Sequence, residues 1–304
     1  MPEPGLLGIA LLGAVAFGSG DMAGACATRR MATANVVVVS QVAAIIFLSL
    51  MAKEMAVDLT GRAAVMALAG GATYAVGLLL LYRGLAIGRV GVVAPLCAMF
   101  SILASLAGDL VQARVLTSSQ IAGVALCALA AMLITAAPRD GGTARIWWSA
   151  RIGAASGLVY GGADVLLASA PDPDSGSVVL MSRWASVGLA MAIALRASRA
   201  VAPGAPGTAM GAMPQSSGGL AVGRPMSLAF GTTLAAAAGM FDVIGQVAFV
   251  HAAARGSISV ASAATALFPA VTVALAVILF RERVAPLQAL GYGVAASGVV
   301  LLST

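Results

Sequence analysis

Charge is scarce in this chain of 304 residues, because Asp, Glu, Lys and Arg together make up 9% of it and aromatic residues only 5%. Soluble domains carry about 25% charged residues. Apolar residues reach 61% of the chain, which is more apolar surface than a water-soluble fold can bury. The composition therefore excludes a soluble domain and predicts a protein whose solvent is the lipid bilayer.

Histidine and cysteine are also few, which excludes most metal chemistry. His251 is the single histidine, so the chain cannot contain a two-histidine zinc motif such as HExxH. The 3 cysteines lie in or beside apolar segments, without the paired spacing of zinc ligands or of a disulfide framework. A GxSxG nucleophile elbow and a GxxxxGK[ST] phosphate loop are absent from the sequence. We expect no metal, no cofactor and no ATP hydrolysis.

Basic residues are not interleaved with stacking aromatics, so nucleic acid is not an expected partner. The net charge of +6 comes from arginines beside the predicted helix ends, where they suit contact with anionic lipid headgroups. Met1–Pro4 carries no cation, and the first apolar run has full helix length, so we expect this helix to stay in the membrane instead of being cleaved as a signal peptide. These features predict a multi-pass protein of a bacterial-type inner (plasma) membrane.

Apolar segments of helix length follow one another along the chain, and they predict ten transmembrane helices. A transmembrane barrel would instead need segments of about ten residues that alternate apolar and polar. The stretch 196–224, rich in Pro, Gly and Ser, has no apolar period and is predicted to be a flexible loop. The predicted helices cover residues 6–26, 35–52, 62–85, 90–111, 117–137, 147–168, 177–195, 225–250, 258–280 and 284–302.

An internal repeat relates the two halves of the chain. Residues 71–136 align without a gap with residues 239–304, an offset of 168 positions that matches several glycines. The first helices align at an offset of 143, which sets Asp21 against Asp164, and the second helices at 142. We therefore predict two five-helix repeats, 1–145 and 146–304.

An odd number of helices per repeat has a geometric consequence, because the second unit must then enter the membrane from the opposite side. The predicted fold is thus all-α, with two inverted five-helix repeats. Inverted repeats are typical of secondary transporters, in which rocking exposes a central site to either side in turn. An intramembrane enzyme and a passive channel stay open as alternatives. The first would need a cluster of nucleophile, base or metal ligands, and the second a continuous polar stripe.

Two turn regions carry a resemblance to a known family. Residues 86–96 read AIGRVGVVAPL and residues 280–291 read FRERVAPLQALG, while Leu267-Phe268-Pro269 lies between them. With these motifs the chain resembles the EamA branch of the drug/metabolite transporter superfamily. The resemblance implies ten helices in two inverted repeats and export of amino acids or related small metabolites, with aromatic amino-acid exporters as the nearest subgroup. The chain departs from the pattern at Arg114, which takes the place that matches Glu282.

Charged side chains inside the predicted helices mark the candidate site, since each costs at least about 2.5 kcal/mol near the bilayer centre. An internal salt bridge, for example between Arg183 and Asp164, competes with the hypothesis that these residues line a substrate cavity. Asp21 lies close to Arg29 and Arg30 and is expected near the membrane interface. The cavity candidates are Gln41, Tyr74, Tyr160, Asp164, Arg183, Trp184, Asp242 and Gln246.

Small residues and prolines are candidates for hinges or for close helix packing. The stretches 18–20 and 161–162 are predicted to interrupt corresponding helices near the middle of the membrane, which is typical of a transporter site. If Arg183 neutralises Asp164, Asp242 becomes the best proton carrier; its repeat mate is Tyr74, so we expect facilitated or loosely coupled efflux. The hinge or packing candidates are Gly18, Gly20, Pro95, Gly161, Gly162 and Pro269.

Overall fold

The computed structural model describes residues 4–28, 31–51, 61–87, 90–135, 143–170, 175–200, 228–280 and 286–302. Most of these residues are helical. Within these ranges eleven α-helices follow one another and no strand occurs. They are α1 (Pro4–Ala27), α2 (Thr33–Met51), α3 (Gly61–Ile87), α4 (Val90–Val111), α5 (Ser118–Thr135), α6 (Thr143–Ala168), α7 (Ser175–Ala200), α8 (Leu228–Arg255), α9 (Ile258–Thr265), α10 (Phe268–Phe280) and α11 (Pro286–Leu302).

The helices confirm an all-α membrane protein with several spans. In the described part of the chain five helices are long and apolar enough to cross a bilayer, and shorter apolar helices accompany them. The predicted boundary between repeats at residue 145 falls inside the first turn of α6. The first residues of the predicted loop 196–224 belong to α7, while residues 201–224 and Glu282 lie outside the described residues. The long spans are Gly5–Gly24, Thr33–Met51, Gly61–Gly84, Ser175–Arg196 and Leu228–Arg255.

The predicted ninth span is broken, so the expectation of one continuous helix over 258–280 is wrong. The helix α9 ends at Thr265 and α10 begins at Phe268. Pro269 has no N–H for a bond to the preceding turn, and it is favoured at the start of a helix. The Thr265 hydroxyl donates to the carbonyls of Ala261 and Ser262 at 3.0 and 3.1 Å. A break at membrane depth is tolerated where it is buried in protein or lines a cavity.

The predicted interruptions at 18–20 and 161–162 are wrong, since α1 and α6 run through them unbroken, and Pro95 also lies inside the continuous helix α4. Three of these glycines instead allow close packing. A Cβ built on Gly18 would lie 2.6 Å from the carbonyl oxygen of Phe268, one on Gly161 would lie 2.6 Å from that of Ser101, and one on Gly20 would lie 3.1 Å from that of Ala238. Gly162 faces open space, with nothing within 4 Å of such an atom.

Helices from the two halves of the chain pack mainly against each other. The contacting pairs include α1 with α8, α3 with α6, α2 with α8, α3 with α7, α2 with α7, and α5 with α11. In the repeat alignment α1, α2, α3 and α5 correspond to α6, α7, α8 and α11. When each helix is replaced by its counterpart, the pair α1–α8 becomes α6–α3 and the pair α2–α8 becomes α7–α3. The pairs α2–α7 and α5–α11 become themselves. The interface between the halves thus has matching contacts on both sides.

In this interface two glycines, at positions that the repeat alignment matches, lie where the backbones of two helices come very close together. A Cβ on Gly239 would collide with the carbonyl group of Ser40, and one on Gly71 would collide with the carbonyl group of Ser182. The colliding atoms are backbone, so they cannot turn aside as a flexible side chain would. Small residues at such positions let helices associate closely in lipid.

Replacing Gly239 with alanine is expected to destabilise the protein, because α2 and α8 must move apart to admit the new methyl group. Overpacking of this kind costs about 1–3 kcal/mol. Gly162→Ala is the matched control and should be neutral or slightly stabilising, since alanine is the better helix former and the space beside Gly162 is open. Melting temperatures of the purified variants in detergent measure both effects. Equal melting temperatures for the two variants would contradict the close approach.

Candidate functional site

A cavity of about 70 Å³ lies between the two halves of the chain. It is bordered by α1, α3, α4, α6 and α8 and by the break between α9 and α10, so the interrupted helix contributes directly to its wall. The described residues that line it are Phe17, Asp21, Tyr74, Leu81, Cys97, Ala98, Ser101, Tyr160, Asp164, Asp242, Phe249, Ser262, Thr265, Ala266 and Phe268.

Most of the described residues in the cavity wall are ones that the predicted internal repeat aligns with each other in pairs. The offset of 143 relates two pairs from α1 and α6, and the offset of 168 relates four pairs from the helices that follow. A cavity built in this way has equivalent positions of both halves on its two sides. The six pairs are Phe17 and Tyr160, Asp21 and Asp164, Tyr74 and Asp242, Leu81 and Phe249, Cys97 and Thr265, and Ala98 and Ala266.

Carboxylates and aromatic rings give the cavity its chemical character. Asp21, Asp164 and Asp242 lie in the wall, and no lysine or arginine is found among the described lining residues. The rings of Tyr74 and Tyr160 meet edge to face, with centroids 4.9 Å apart and planes at 85°. In the described part of the chain no three His, Cys, Asp or Glu side chains are grouped closely enough to hold a metal ion.

A buried guanidinium stands behind this wall. The Arg183 Nη1 atom donates to Asp242 Oδ2 at 2.7 Å and to Gln41 Oε1 at 2.8 Å. The Tyr74 hydroxyl donates to Asp242 Oδ1 at 2.5 Å, and the guanidinium carbon lies 4.9 Å from the centroid of the Tyr74 ring. In two of these hydrogen bonds the partners are residues that the repeat alignment matches. They are Arg183 with Gln41, 142 positions apart, and Tyr74 with Asp242, 168 positions apart.

The suggested salt bridge between Arg183 and Asp164 is wrong, because Arg183 pairs with Asp242. The physical reason is helix placement: α7 contacts α8, whereas α6 packs mainly against α3 and α4. Asp164 accepts a long hydrogen bond of 3.4 Å from Ser101 Oγ, and among the described residues neither it nor Asp21 forms an ion pair. The case for Asp242 as proton carrier rested on the opposite pairing and falls with it. Asp21, which was not among the predicted cavity residues, lies in the cavity wall.

The other predicted site residues are divided between the wall, the layer behind it and the outer surface. Tyr74, Tyr160, Asp164 and Asp242 line the cavity. Gln41 and Arg183 are buried behind the wall; Gln246 is buried one turn after Asp242, and neither of its amide atoms has a hydrogen-bond partner in the described residues.

Trp184 is 61% exposed, so its assignment to the cavity is wrong. A helix turns by about 100° per residue, and the inward direction of Arg183 therefore sends its neighbour Trp184 outward.

Sequence reasoning missed a polar cluster at the end of α4, although Asp109 is a lone acid there and Ser257 is a typical N-cap residue before an apolar run. Asp109 is buried and accepts hydrogen bonds from the hydroxyls of Ser257 and Ser259 at 2.7 and 2.6 Å. It also accepts from the backbone N–H groups of Ile258 and Ser259 at 3.0 and 2.8 Å. An acid from the first half thus caps the first turn of α9, where N–H groups lack partners within the helix.

Arg114 completes this cluster from the same half. Its Nη1 atom donates to the carbonyls of Ala253 and Gly256 at 2.8 and 2.5 Å, where the last carbonyls of α8 lack partners in their own helix. Its Nε atom lies 4.0 Å from Asp109 Oδ1. We call Asp109, Arg114 and the turn from Ala253 to Ser259 the α8–α9 clamp, because two residues of the first half hold a turn of the second.

Comparisons with known proteins add a family likeness for part of the chain. Residues 176–304 match the model of the EamA-like transporter family, whose members are membrane transporters of small solutes. This match supports the EamA resemblance drawn from the turn motifs. No curated protein matches the chain. One solved crystal structure is similar with a TM-score of 0.71 and 12% identity, and the alignment covers 97% of this chain and 96% of the other. At that identity the likeness shows the fold alone.

Proposed function

We propose that the chain is a secondary transporter of the EamA type, which exports amino acids or related small metabolites across a bacterial-type inner membrane. It is built from two inverted five-helix repeats, 1–145 and 146–304, and it works by alternating access. The observation that supports this best is the lining of the central cavity by six pairs of repeat mates. A site of this kind stands in the same relation to both halves, so a rocking motion can close one side while it opens the other.

The break between α9 and α10 supports the same proposal. Discontinuous helices near the middle of the membrane commonly form transporter sites, and Ser262, Thr265, Ala266 and Phe268 on either side of this break line the cavity. The α8–α9 clamp lies at the other end of α9, which is about 10 Å away at 1.5 Å per residue. The clamp joins the two halves at that end of α9.

Transport by proteoliposomes tests the proposal. Vesicles that contain the purified chain and a mixture of metabolites should release particular compounds, measured by mass spectrometry, with saturation and counterflow. Ala98→Phe should reduce this efflux at least tenfold, because Ala98 is a buried residue of the cavity wall and the new ring fills a space of about 70 Å³.

Ala107→Phe is the matched control, because Ala107 is exposed on the same helix α4 and should leave efflux unchanged. Gel filtration in detergent shows whether both variants fold. A folded Ala98→Phe protein that transports like the parent would place the substrate path elsewhere. Release without saturation or counterflow would indicate a channel, and conversion of a loaded compound into a product would indicate an enzyme.

A further inference from the structure

The described residues of the cavity wall and of the layer directly behind it include three acids and one cation. Arg183 is the one cation that reaches the wall among the described residues, and it is already paired with Asp242 at 2.7 Å. Asp21 and Asp164 line the cavity without an ion pair in the described part of the chain. A charge at this depth calls for a partner, a water-filled path or a neutral state. Two wall carboxylates are therefore available to a positively charged ligand.

Each of these two carboxylates has an aromatic ring one helical turn away. Phe17 precedes Asp21 by four residues, and Tyr160 precedes Asp164 by four, so ring and acid share one face of their helix in both halves. All four side chains line the cavity, and Tyr74 adds a third ring against Tyr160. Aromatic faces attract organic cations through the ring quadrupole, and aromatic walls are how proteins recognise ammonium groups.

A metal ion fits this wall less well than an ammonium group does. Calcium takes six to eight oxygen ligands at about 2.3–2.6 Å, and no group of three His, Cys, Asp or Glu side chains in the described residues is close enough to hold a metal. Aromatic rings beside two carboxylates in one wall instead match a ligand with one charged nitrogen and an apolar body.

We propose that the cavity recognises its cargo by an ammonium group, held by Asp21 and Asp164 among the rings of Phe17, Tyr74 and Tyr160, and that it does not recognise a carboxylate. The favoured cargo is then a small organic amine cation, ahead of a zwitterionic amino acid. This inference rests on the proposed transport function and narrows its substrate class.

The competing possibility is an anion subsite on Arg183, whose Nε and Nη2 atoms are buried without a hydrogen-bond partner in the described residues. Geometry and charge argue against it. The guanidinium is wholly buried and lies behind the cavity wall, where Tyr74 and Asp242 cover it. A substrate carboxylate would also enter a cavity whose described wall already contains three acids and no lysine or arginine.

Three matched mixtures test this inference on the full purified chain in detergent, at about pH 6. The first contains the neutral amino acids, the second their methyl esters and the third their N-acetyl derivatives. The side chains are the same in each, and only the charge differs: zwitterion, cation and anion. We expect the esters to raise the melting temperature at concentrations at least tenfold below those of the amino acids, and the N-acetyl derivatives to have no effect.

Variants assign the effect to the wall. Asp21→Asn and Asp164→Asn keep the shape of the side chain and remove its charge, so each should weaken the ester effect at least tenfold. Phe17→Leu should weaken it as well, whereas Phe230→Leu, at an exposed position of α8, should leave it unchanged.

Amino acids that act at the same or lower concentrations than their esters would overturn the inference, because the carboxylate would then be recognised. Stabilisation by the N-acetyl derivatives alone would establish an anion site instead, and no stabilisation by any mixture would exclude an ammonium site. Efflux of a solute without an amine in the proteoliposome assay would also overturn this inference, while it would leave the transport function intact.

Discussion

Replacing Arg183 with alanine is expected to remove most of the folded protein from the membrane. The substitution deprives Asp242 of the guanidinium at 2.7 Å and leaves it, among the described residues, with the hydrogen bond from the Tyr74 hydroxyl. Breaking a buried ion pair by removing one partner costs about 3–5 kcal/mol. Native proteins are stable by only about 5–15 kcal/mol, so the loss is a large share of the total. Folded yield after detergent extraction, measured by gel filtration, reports it.

Double variants identify the partner of Arg183. Arg183→Ala combined with Asp242→Asn removes both charges and should restore most of the yield, whereas Arg183→Ala combined with Asp164→Asn should not. Arg83→Ala is the control for loss of an arginine, because Arg83 is exposed near the end of α3 and should fold like the parent. A rescue by Asp164→Asn in place of Asp242→Asn would contradict the pairing seen here.

Asp109→Ala is expected to have the second largest effect, through the α8–α9 clamp. Alanine removes four hydrogen bonds to a carboxylate, two of them from backbone N–H groups in the first turn of α9. It also takes away the acid beside Arg114. Hydrogen bonds to charged groups contribute about 1.5–3 kcal/mol each, and buried donors left without partners are costly. We expect a loss of at least about 3 kcal/mol, measured as a fall in the melting temperature in detergent.

Graded variants distinguish the loss of the clamp's hydrogen bonds from a nonspecific loss of stability caused by mutation. Asp109→Asn keeps one carbonyl oxygen as an acceptor and should lose less than Asp109→Ala. Ser259→Ala removes the hydroxyl that donates to Asp109 and lies 3.1 Å from the Ser257 hydroxyl, and it should cost about 1 kcal/mol. Ser297→Ala is the control, since its exposed hydroxyl donates to the carbonyl of Gly293 in its own helix and, among the described residues, to no residue of the other half. An Asp109→Ala protein that melts with the parent would show that the clamp contributes nothing to stability.

The helices could be predicted because a bilayer imposes a simple rule on sequence. A span of about 20 apolar residues is visible from composition alone, and α1 to α8 and α11 lie where such runs were found. The break after Thr265 was missed because Ile258–Phe280 is apolar on both sides of Pro269. Composition does not distinguish a proline that kinks a helix from one that begins a new helix.

The cavity could be predicted only in part, because sequence indicates which residues are costly in lipid but does not show which of them meet. Tyr74, Tyr160, Asp164 and Asp242 were identified as cavity candidates and line the wall. The partner of Arg183 could not be chosen, since either acid satisfies the same electrostatic need and only helix packing decides between them. Trp184 was assigned inward because it adjoins Arg183, and helical rotation sends it outward instead.

The central hydrogen bonds have a consequence for how such a chain could have arisen. Gln41 bonds to Arg183 and Tyr74 to Asp242, and in both cases the partners are counterparts at the repeat offsets. In an assembly of two identical second halves with the same symmetry, each half would bring its own pair of Arg183 and Asp242, but neither the Tyr74 hydroxyl nor the Gln41 oxygen would be there to complete it. Two identical first halves would bring a tyrosine to a tyrosine and a glutamine to a glutamine at these positions, with no ion pair between them. The centre seen here, with one ion pair and two neutral partners, therefore requires halves that differ at these positions.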